Sequence, residues 1–161
     1  MRRGLLVLVA WLCMGLVAFA QDADLFARIR EANMPPVLDA SWQREYHSPL
    51  LQENLISNGK VHLQEPNQLR WETVSPVPRV TEFGADTPRG RFRMPTEKDF
   101  QVQILENEQY TVTLVPVRRD LKQMFHQIVL NVDKASLLVK EVLIVGEEGE
   151  WTRLIFTIEK P

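Results

Sequence analysis

The sequence predicts a mainly β fold, in which a meandering antiparallel sheet follows one amphipathic helix. After residue 36, short runs of alternating apolar and polar residues are separated by turn-forming residues, which is the pattern of strands joined by hairpins. Before residue 36, apolar residues recur at helical spacing. No cysteine occurs between residues 21 and 161, so this fold has to rest on its hydrophobic core without disulfides.

The first twenty residues have the pattern of a cleavable signal peptide. Arg2 and Arg3 precede an apolar run over residues 5–17, and Ala18-Phe19-Ala20 places small residues at the two positions that a signal peptidase reads. An uncut membrane anchor is the alternative, but the run is short for a bilayer span of about 20 residues. We therefore expect a signal peptide over residues 1–20, one domain over residues 21–161, and a location in the periplasm of a Gram-negative bacterium.

Cys13 is the single cysteine of the chain. A lipoprotein signal requires a small residue before its cysteine, and Leu12 stands there instead. We expect Cys13 to leave with the signal peptide.

Residues 22–33 are predicted to form the helix. Leu25, Phe26, Ile29 and Ala32 fall on one face, and Pro35-Pro36 ends the helical pattern. A helix of about a dozen residues does not persist alone in water. It must therefore pack its apolar face against another element, and the sheet is the candidate.

Eight strands follow in the predicted pattern. Glu, Asn, Asp, Gly and Pro residues between them provide the turns. The predicted strands cover residues 38–46, 55–64, 69–73, 100–105, 110–117, 124–132, 137–145 and 151–159.

The last two predicted strands are apolar on both faces. In residues 137–145, Val139 and Leu143 alternate with Val142 and Ile144. A sheet with one face in water should be polar on that face. Part of the second face is therefore covered, either by the helix or by an apolar ligand.

No catalytic or metal-binding pattern is present in the sequence. His47, His62 and His126 lie on three separate segments without close ligand spacing, and no cysteine helps them. The chain has neither a nucleophile elbow nor a phosphate-binding glycine loop. Its formal net charge of −2 disfavours nucleic acid as a partner. We expect no enzyme activity, no cofactor and no metal.

Two groups of residues allow both a structural and a functional interpretation. Arg89, Arg91 and Arg93 alternate with other residues before Pro95. They suit an exposed edge whose charges discourage strand pairing, or a docking patch for an acidic partner or an anionic head group. Trp42, Trp71 and Trp151 suit the core or its rim, or the wall of a cavity.

The segment from residue 57 to residue 76 resembles the LolA family of periplasmic lipoprotein carriers. The family pattern is a strand with a glycine, then Pro-Asn or Pro-Asp, then hydrophobic-Arg-Trp-Glu and a proline. Here these positions hold Gly59, Pro66-Asn67, Leu69-Arg70-Trp71-Glu72 and Pro76. The resemblance extends less specifically over most of the chain after residue 20.

The resemblance implies a curved antiparallel sheet that forms an open, incomplete barrel wrapped around the N-terminal helix. It implies a noncatalytic, monomeric carrier that shelters the acyl chains of lipoproteins or related lipids. The donor would be an inner-membrane ABC transporter and the acceptor a receptor at the outer membrane. With the apolar pattern above, it places these residues in the cavity wall: Leu25, Phe26, Ile29, Trp42, Leu69, Trp71 and Leu143.

The sequence departs from the family pattern at two places. Glu65 stands where well-studied members have an arginine that latches the lid. The segment of residues 77–99 is short, whereas longer members have additional strands and lid helices there. These departures predict a cavity that is less covered. A noncatalytic envelope sensor or interaction module on the same fold remains the alternative function.

Overall fold

The computed structural model describes residues 22–64, 68–88, 90 and 96–159. In these residues, nine strands form one antiparallel sheet in the order β4-β3-β2-β1-β9-β8-β7-β6-β5. The predicted signal peptide with Cys13, the Glu65-Pro66-Asn67 positions and Arg89, Arg91 and Arg93 lie outside the described residues. The strands are β1 (Val37–His47), β2 (Leu55–Gln64), β3 (Gln68–Ser75), β4 (Arg79–Phe83), β5 (Phe100–Glu106), β6 (Tyr110–Pro116), β7 (Gln127–Val132), β8 (Val139–Val145) and β9 (Trp151–Ile158).

The sheet is an open one. Each strand pairs with its neighbour in sequence, except that β1 pairs with β9 in the middle of the sheet and β4 does not pair with β5. β4 and β5 are therefore the two edges, and the sheet does not close into a barrel. The predicted fold class is confirmed.

The N-terminal helix α1 covers residues 22–32. Phe26 and Ile29 are only 2% and 1% exposed. They pack with buried residues of β5, β6 and β7, and with partly buried residues of β8. We call the sheet face that carries α1 the inner face and the opposite one the outer face. Because α1 packs against β5 to β8, it covers only one half of the inner face.

The other half of the inner face has its own apolar cluster. Ala40, Trp42 and Val61 are buried there, and Trp71 and Phe156 pack against them. This second cluster lies on β1, β2, β3 and β9. The inner face is thus apolar on both halves, with the helix over one of them.

Two elements were not predicted from the sequence. β4 is five residues long, directly after a Pro-rich stretch, and α2 (Arg119–Lys122) is a single turn of helix between β6 and β7. Two predicted strands also begin later than expected. Met124 donates its amide to the carbonyl of Leu121 and so continues from α2, while Leu137 has a φ of 60° that no strand residue adopts.

In the part of the chain that the structure describes, no helix combines the length and the apolar character that crossing a membrane requires.

Candidate ligand-binding cavity

A cavity of about 510 Å³ lies between α1 and the inner face of the sheet. This volume is within the range of roughly 300–1,000 Å³ that is typical of small-molecule sites. Of the residues that the structure describes, eighteen line the cavity: sixteen are apolar, the two others are Asn33 and Thr81, and none is charged. The apolar lining residues are Phe26, Met34, Leu38, Ala40, Val61, Leu63, Leu69, Trp71, Phe83, Leu114, Ile128, Leu130, Val139, Val142, Phe156 and Ile158.

The curvature of the sheet creates this cavity. Trp71 on β3 and Phe83 on β4 line it together with Leu114 on β6 and Leu130 on β7, although these strands belong to opposite halves of the sheet order. The sheet therefore curls so that its two halves face one space. α1 fills part of that space, and the remainder is the cavity.

Asn33 is one of the two polar lining residues, and its side-chain amide is engaged at both ends. Its Nδ2 donates to the carbonyls of Ile29 at 2.7 Å and Leu137 at 2.9 Å, and its Oδ1 accepts from the amide of Val139 at 2.9 Å. The side chain thus joins the end of α1 to the start of β8. The sequence indicated only that Asn33 lies at the end of a helix, since nothing in its neighbourhood identifies a partner 104 residues away.

Two stacked tryptophans support the cavity wall on the first half of the sheet. The rings of Trp42 and Trp71 stack at 4.8 Å, and Phe156 meets Trp71 edge-on at 6.2 Å. The indole nitrogen of Trp42 donates to the carbonyl of Lys60 at 3.2 Å. A Cβ atom on Gly59 would collide with the carbonyl oxygen of Glu72 and would lie 2.7 Å from Cζ2 of Trp42. Gly59 therefore leaves the space that the Trp42 ring occupies.

The residues expected in the cavity wall occupy different positions in the structure. Phe26, Leu69 and Trp71 line the cavity. Trp42 and Ile29 are buried behind the wall, and Leu25, which is on α1, packs against the core. Leu143 is not among the lining residues.

Leu143 is on the outer face, opposite to its expected position. It pairs with Val129 on β7 and Arg153 on β9, whereas the adjacent Val142 faces the cavity. The reason is a bulge at Lys140: Val132 pairs with Val139, and Asn131 already pairs with Glu141. One extra residue reverses the alternation of a strand, so Val139 and Val142 share the inner face and Leu143 does not.

His47 and His62 each contact an oxygen of a neighbouring polar side chain. Nδ1 of His47 lies 2.7 Å from Oδ1 of Asn54, and Nδ1 of His62 lies 2.5 Å from Oδ1 of Asp39. Residues 22–64, 68–88, 90 and 96–159 contain no group of three His, Cys, Asp or Glu side chains that could hold a metal ion. The described polar side chains form no constellation that suggests catalysis.

Comparison with known proteins identifies the fold. No protein-family model and no curated protein matches the chain. The structure of MucB in complex with MucA(peri) matches with 12% identity and a TM-score of 0.52, over 86% of this chain and 56% of MucB. The Pseudomonas aeruginosa MucA/MucB complex matches with 13% identity and a TM-score of 0.50, over 85% and 56%.

The chain spans a little over half of the length of the MucB chains that it matches. The matching structures also include a LolA superfamily protein from Nitrosomonas europaea, with 11% identity, 84% of this chain, 91% of that chain and a TM-score of 0.41. The similarity to MucB, at its low identity, is one of fold.

Proposed function

We propose that this protein is a noncatalytic periplasmic carrier that shelters acyl chains of lipoproteins or related lipids and moves them from the inner to the outer membrane. The observation that carries the proposal is the cavity of about 510 Å³, whose wall, in the part of the chain that the structure describes, has sixteen apolar residues and no charged one. The amide of its polar residue Asn33 is already engaged within the protein. An acyl chain can make van der Waals contacts with such a wall, and it leaves no hydrogen-bonding group of Asn33 unsatisfied.

The energetics of an acyl chain in water explain why a carrier needs this cavity. Each exposed methylene costs about 0.8 kcal/mol, so a sixteen-carbon chain costs roughly 12 kcal/mol to expose. An apolar cavity removes most of this cost during transit. An inner-membrane ABC transporter as donor and an outer-membrane receptor as acceptor complete the proposal, on the basis of the LolA resemblance.

Titration with a single-chain fluorescent acyl probe, such as dansylamino-undecanoic acid, tests the proposal. We expect reversible binding nearer micromolar than picomolar, roughly −8 kcal/mol, because cargo must be released. Thr81 on β4 lines the cavity, whereas Val80 beside it is exposed on the outer face. Thr81→Trp should fill the cavity and weaken binding at least tenfold, and Val80→Trp should bind like the wild type.

The same titration can refute the proposal. Circular dichroism must first show that both variants fold. Failure of the wild type to bind the probe, or equal binding by a folded Thr81→Trp, would leave the cavity without a function in acyl binding. Leu143→Glu provides a second control, since its position on the outer face predicts unchanged binding.

A second candidate function is an interaction module of the cell envelope. The observation that favours it is the fold similarity to MucB, whose structure was solved in complex with MucA(peri). Native mass spectrometry of the protein purified from the periplasm would separate the two candidates. Bound acyl lipids would support the carrier, whereas a stoichiometric protein partner without lipid would support the interaction module.

A further inference from the structure

The connection between β6 and β7 presents basic and apolar side chains together. Val115 and Val117 before α2 are 40% and 47% exposed, and Met124 after it is 70% exposed. Arg119 and Lys122 on α2 itself are also exposed. We call these five residues the α2 surface.

The α2 surface is held in place by contacts with the core. Leu121 and Phe125 pack against the buried cluster under α1, and the ring of Phe125 stacks on that of Phe100 at 6.1 Å. With these apolar side chains turned inward, the single helical turn presents Arg119 and Lys122 to the solvent.

The cations of the α2 surface are free to meet an external anion. The preceding Arg118 is neutralised by Asp99 at 3.3 Å and Asp120 at 2.7 Å, and the hydrogen bond to Asp99 raises the pKa of its guanidinium. Arg119 and Lys122, in contrast, form no ion pair with any residue that the structure describes.

The α2 surface also lies next to one end of the cavity. Leu114 and Ile128 both line the cavity, and they pair with each other across β6 and β7. The chain between them forms α2 and its flanking residues. A membrane that contacts the α2 surface would therefore be close to this end of the cavity wall.

We propose that the α2 surface docks the protein on a phospholipid bilayer that contains anionic lipids. Basic side chains attract anionic head groups, and neighbouring apolar side chains enter the interface. The whole chain has a net charge of −2, so this attraction is local rather than general. The inference rests on the proposed function, because a lipid carrier has to exchange its cargo at membranes.

A second exposed apolar site on the protein lacks this charge complementarity. Leu50 is 91% exposed in the β1–β2 loop. Glu53 shares that loop, and Gly149 in the β8–β9 turn, which carries Glu147 and Glu148, lies close to Pro49. These carboxylates disfavour an anionic bilayer, so Leu50 serves as the matched control for Met124.

Vesicle flotation tests the docking proposal. The probes are phosphatidylcholine vesicles with and without phosphatidylglycerol, at low and at high ionic strength. We expect the wild type to bind only the phosphatidylglycerol vesicles, and more weakly at high salt. The double variant Arg119→Glu/Lys122→Glu should bind at least about 30-fold more weakly, because each basic residue near an anionic surface contributes roughly fivefold. Met124→Ser should weaken binding severalfold.

Two controls make the result specific. Arg44→Glu/Lys60→Glu changes the net charge by the same amount at exposed positions of β1 and β2 and should bind like the wild type, as should Leu50→Ser. Equal binding to both kinds of vesicle, absence of binding, or unchanged binding by the α2 double variant would overturn the proposal; an acidic protein would then be the better partner for this surface.

The acyl-probe titration separates this proposal from the carrier function. The folded α2 double variant should bind the soluble probe like the wild type. If the wild type fails to bind the probe but still floats with anionic vesicles, the cavity proposal fails while the docking result stands.

Discussion

At the scale of single residues, Asn33 connects the helix with the distant half of the sheet. Replacing it by aspartate keeps the shape and the acceptor for Val139, but removes both hydrogen bonds donated to the carbonyls of Ile29 and Leu137. The new carboxylate would also face those two carbonyl oxygens. Unsatisfied, partly buried groups of this kind cost about 1–3 kcal/mol each.

We therefore predict that Asn33→Asp lowers the free energy of unfolding by about 2–4 kcal/mol. Urea unfolding measures it. Asn107→Asp, in the exposed β5–β6 turn, is the control and should shift the midpoint little. Equal midpoints for the two variants would show that the Asn33 contacts do not hold α1 to β8.

Gly59 is a second residue whose identity is set by close contacts. Alanine there would place Cβ against the carbonyl of Glu72 and the ring of Trp42, whereas at Gly84 the nearest atom would be 3.5 Å away. We predict that Gly59→Ala lowers the melting temperature far more than Gly84→Ala, because a clash with backbone forces β2 and β3 apart. Similar melting temperatures would contradict the contact with Trp42.

Two surface carboxylates make the stability depend on pH. Hydrogen bonds from the Thr96 amide and then from Arg118 lower the pKa of Asp99, and hydrogen bonds from the hydroxyl and amide of Ser136 lower that of Asp133. A lowered folded-state pKa stabilises the protein above the unfolded value of 3.8, and this contribution is lost as the pH falls through the folded value.

We predict that Asp133→Asn lowers the melting temperature at neutral pH, and that its difference from the wild type shrinks as the pH falls below 3.8. Thermal unfolding followed across this range measures the difference. A gap that stays constant with pH would show that the Ser136 hydrogen bonds do not depend on the charge of Asp133.

At the scale of elements, local patterns identified the helix and most strands, but not the pieces that depend on their surroundings. The alternation over residues 55–64 gave β2 its observed bounds. β4 is too short for a periodic signal, and among the described strands it pairs only with β3. α2 is one turn of Arg, Asp, Leu and Lys. The bulge at Lys140 has no signal in the alternation, so Leu143 was expected on the wrong face.

The amphipathic pattern of α1, in contrast, was strong enough to predict that Phe26 and Ile29 face the core. Ile29 is buried under the helix, while the neighbouring Arg28 is exposed. We predict that Ile29→Asp lowers the free energy of unfolding by several kcal/mol or prevents folding, because a carboxylate would be buried without a partner. Arg28→Asp should cost little. Chemical unfolding measures the free energy of unfolding of both variants, and equal values would contradict the packing of α1.

At the scale of the whole molecule, the apolar character of both faces of β8 and β9 now has a structural explanation. The inner face contributes Val142, Phe156 and Ile158 to the cavity. On the outer face, Trp151 lies between the His47 ring, stacked at 5.2 Å, and the guanidinium of Arg153 at 5.4 Å. The sequence indicated that the second apolar face of these strands is shielded from water. Which residues contact the helix, which line the cavity and which contact polar side chains depends on the curvature of the sheet.

Binding in a cavity of finite volume and binding to an exposed apolar surface differ in how the affinity depends on the length of the acyl chain. Each methylene added to a single-chain lysophospholipid inside the cavity should tighten binding by about fourfold, or 0.8 kcal/mol. Once the chain fills the space, further methylenes stay in water and the affinity should level off. Adsorption to an exposed apolar surface has no such limit, so affinity would keep rising with chain length.

We therefore predict a plateau in the affinity of lysophosphatidylcholines from eight to eighteen carbons, measured by calorimetry below their micellar concentrations. Thr81→Trp reduces the free space, because Thr81 lines the cavity, and should bring the plateau to a shorter chain. Val80→Trp, on the outer face, should leave it unchanged. A steady rise with chain length in all three proteins would indicate binding outside the cavity. A plateau that moves only in Thr81→Trp would assign the acyl chain to the space between α1 and the curved sheet, because only there does the added indole compete with methylenes for volume.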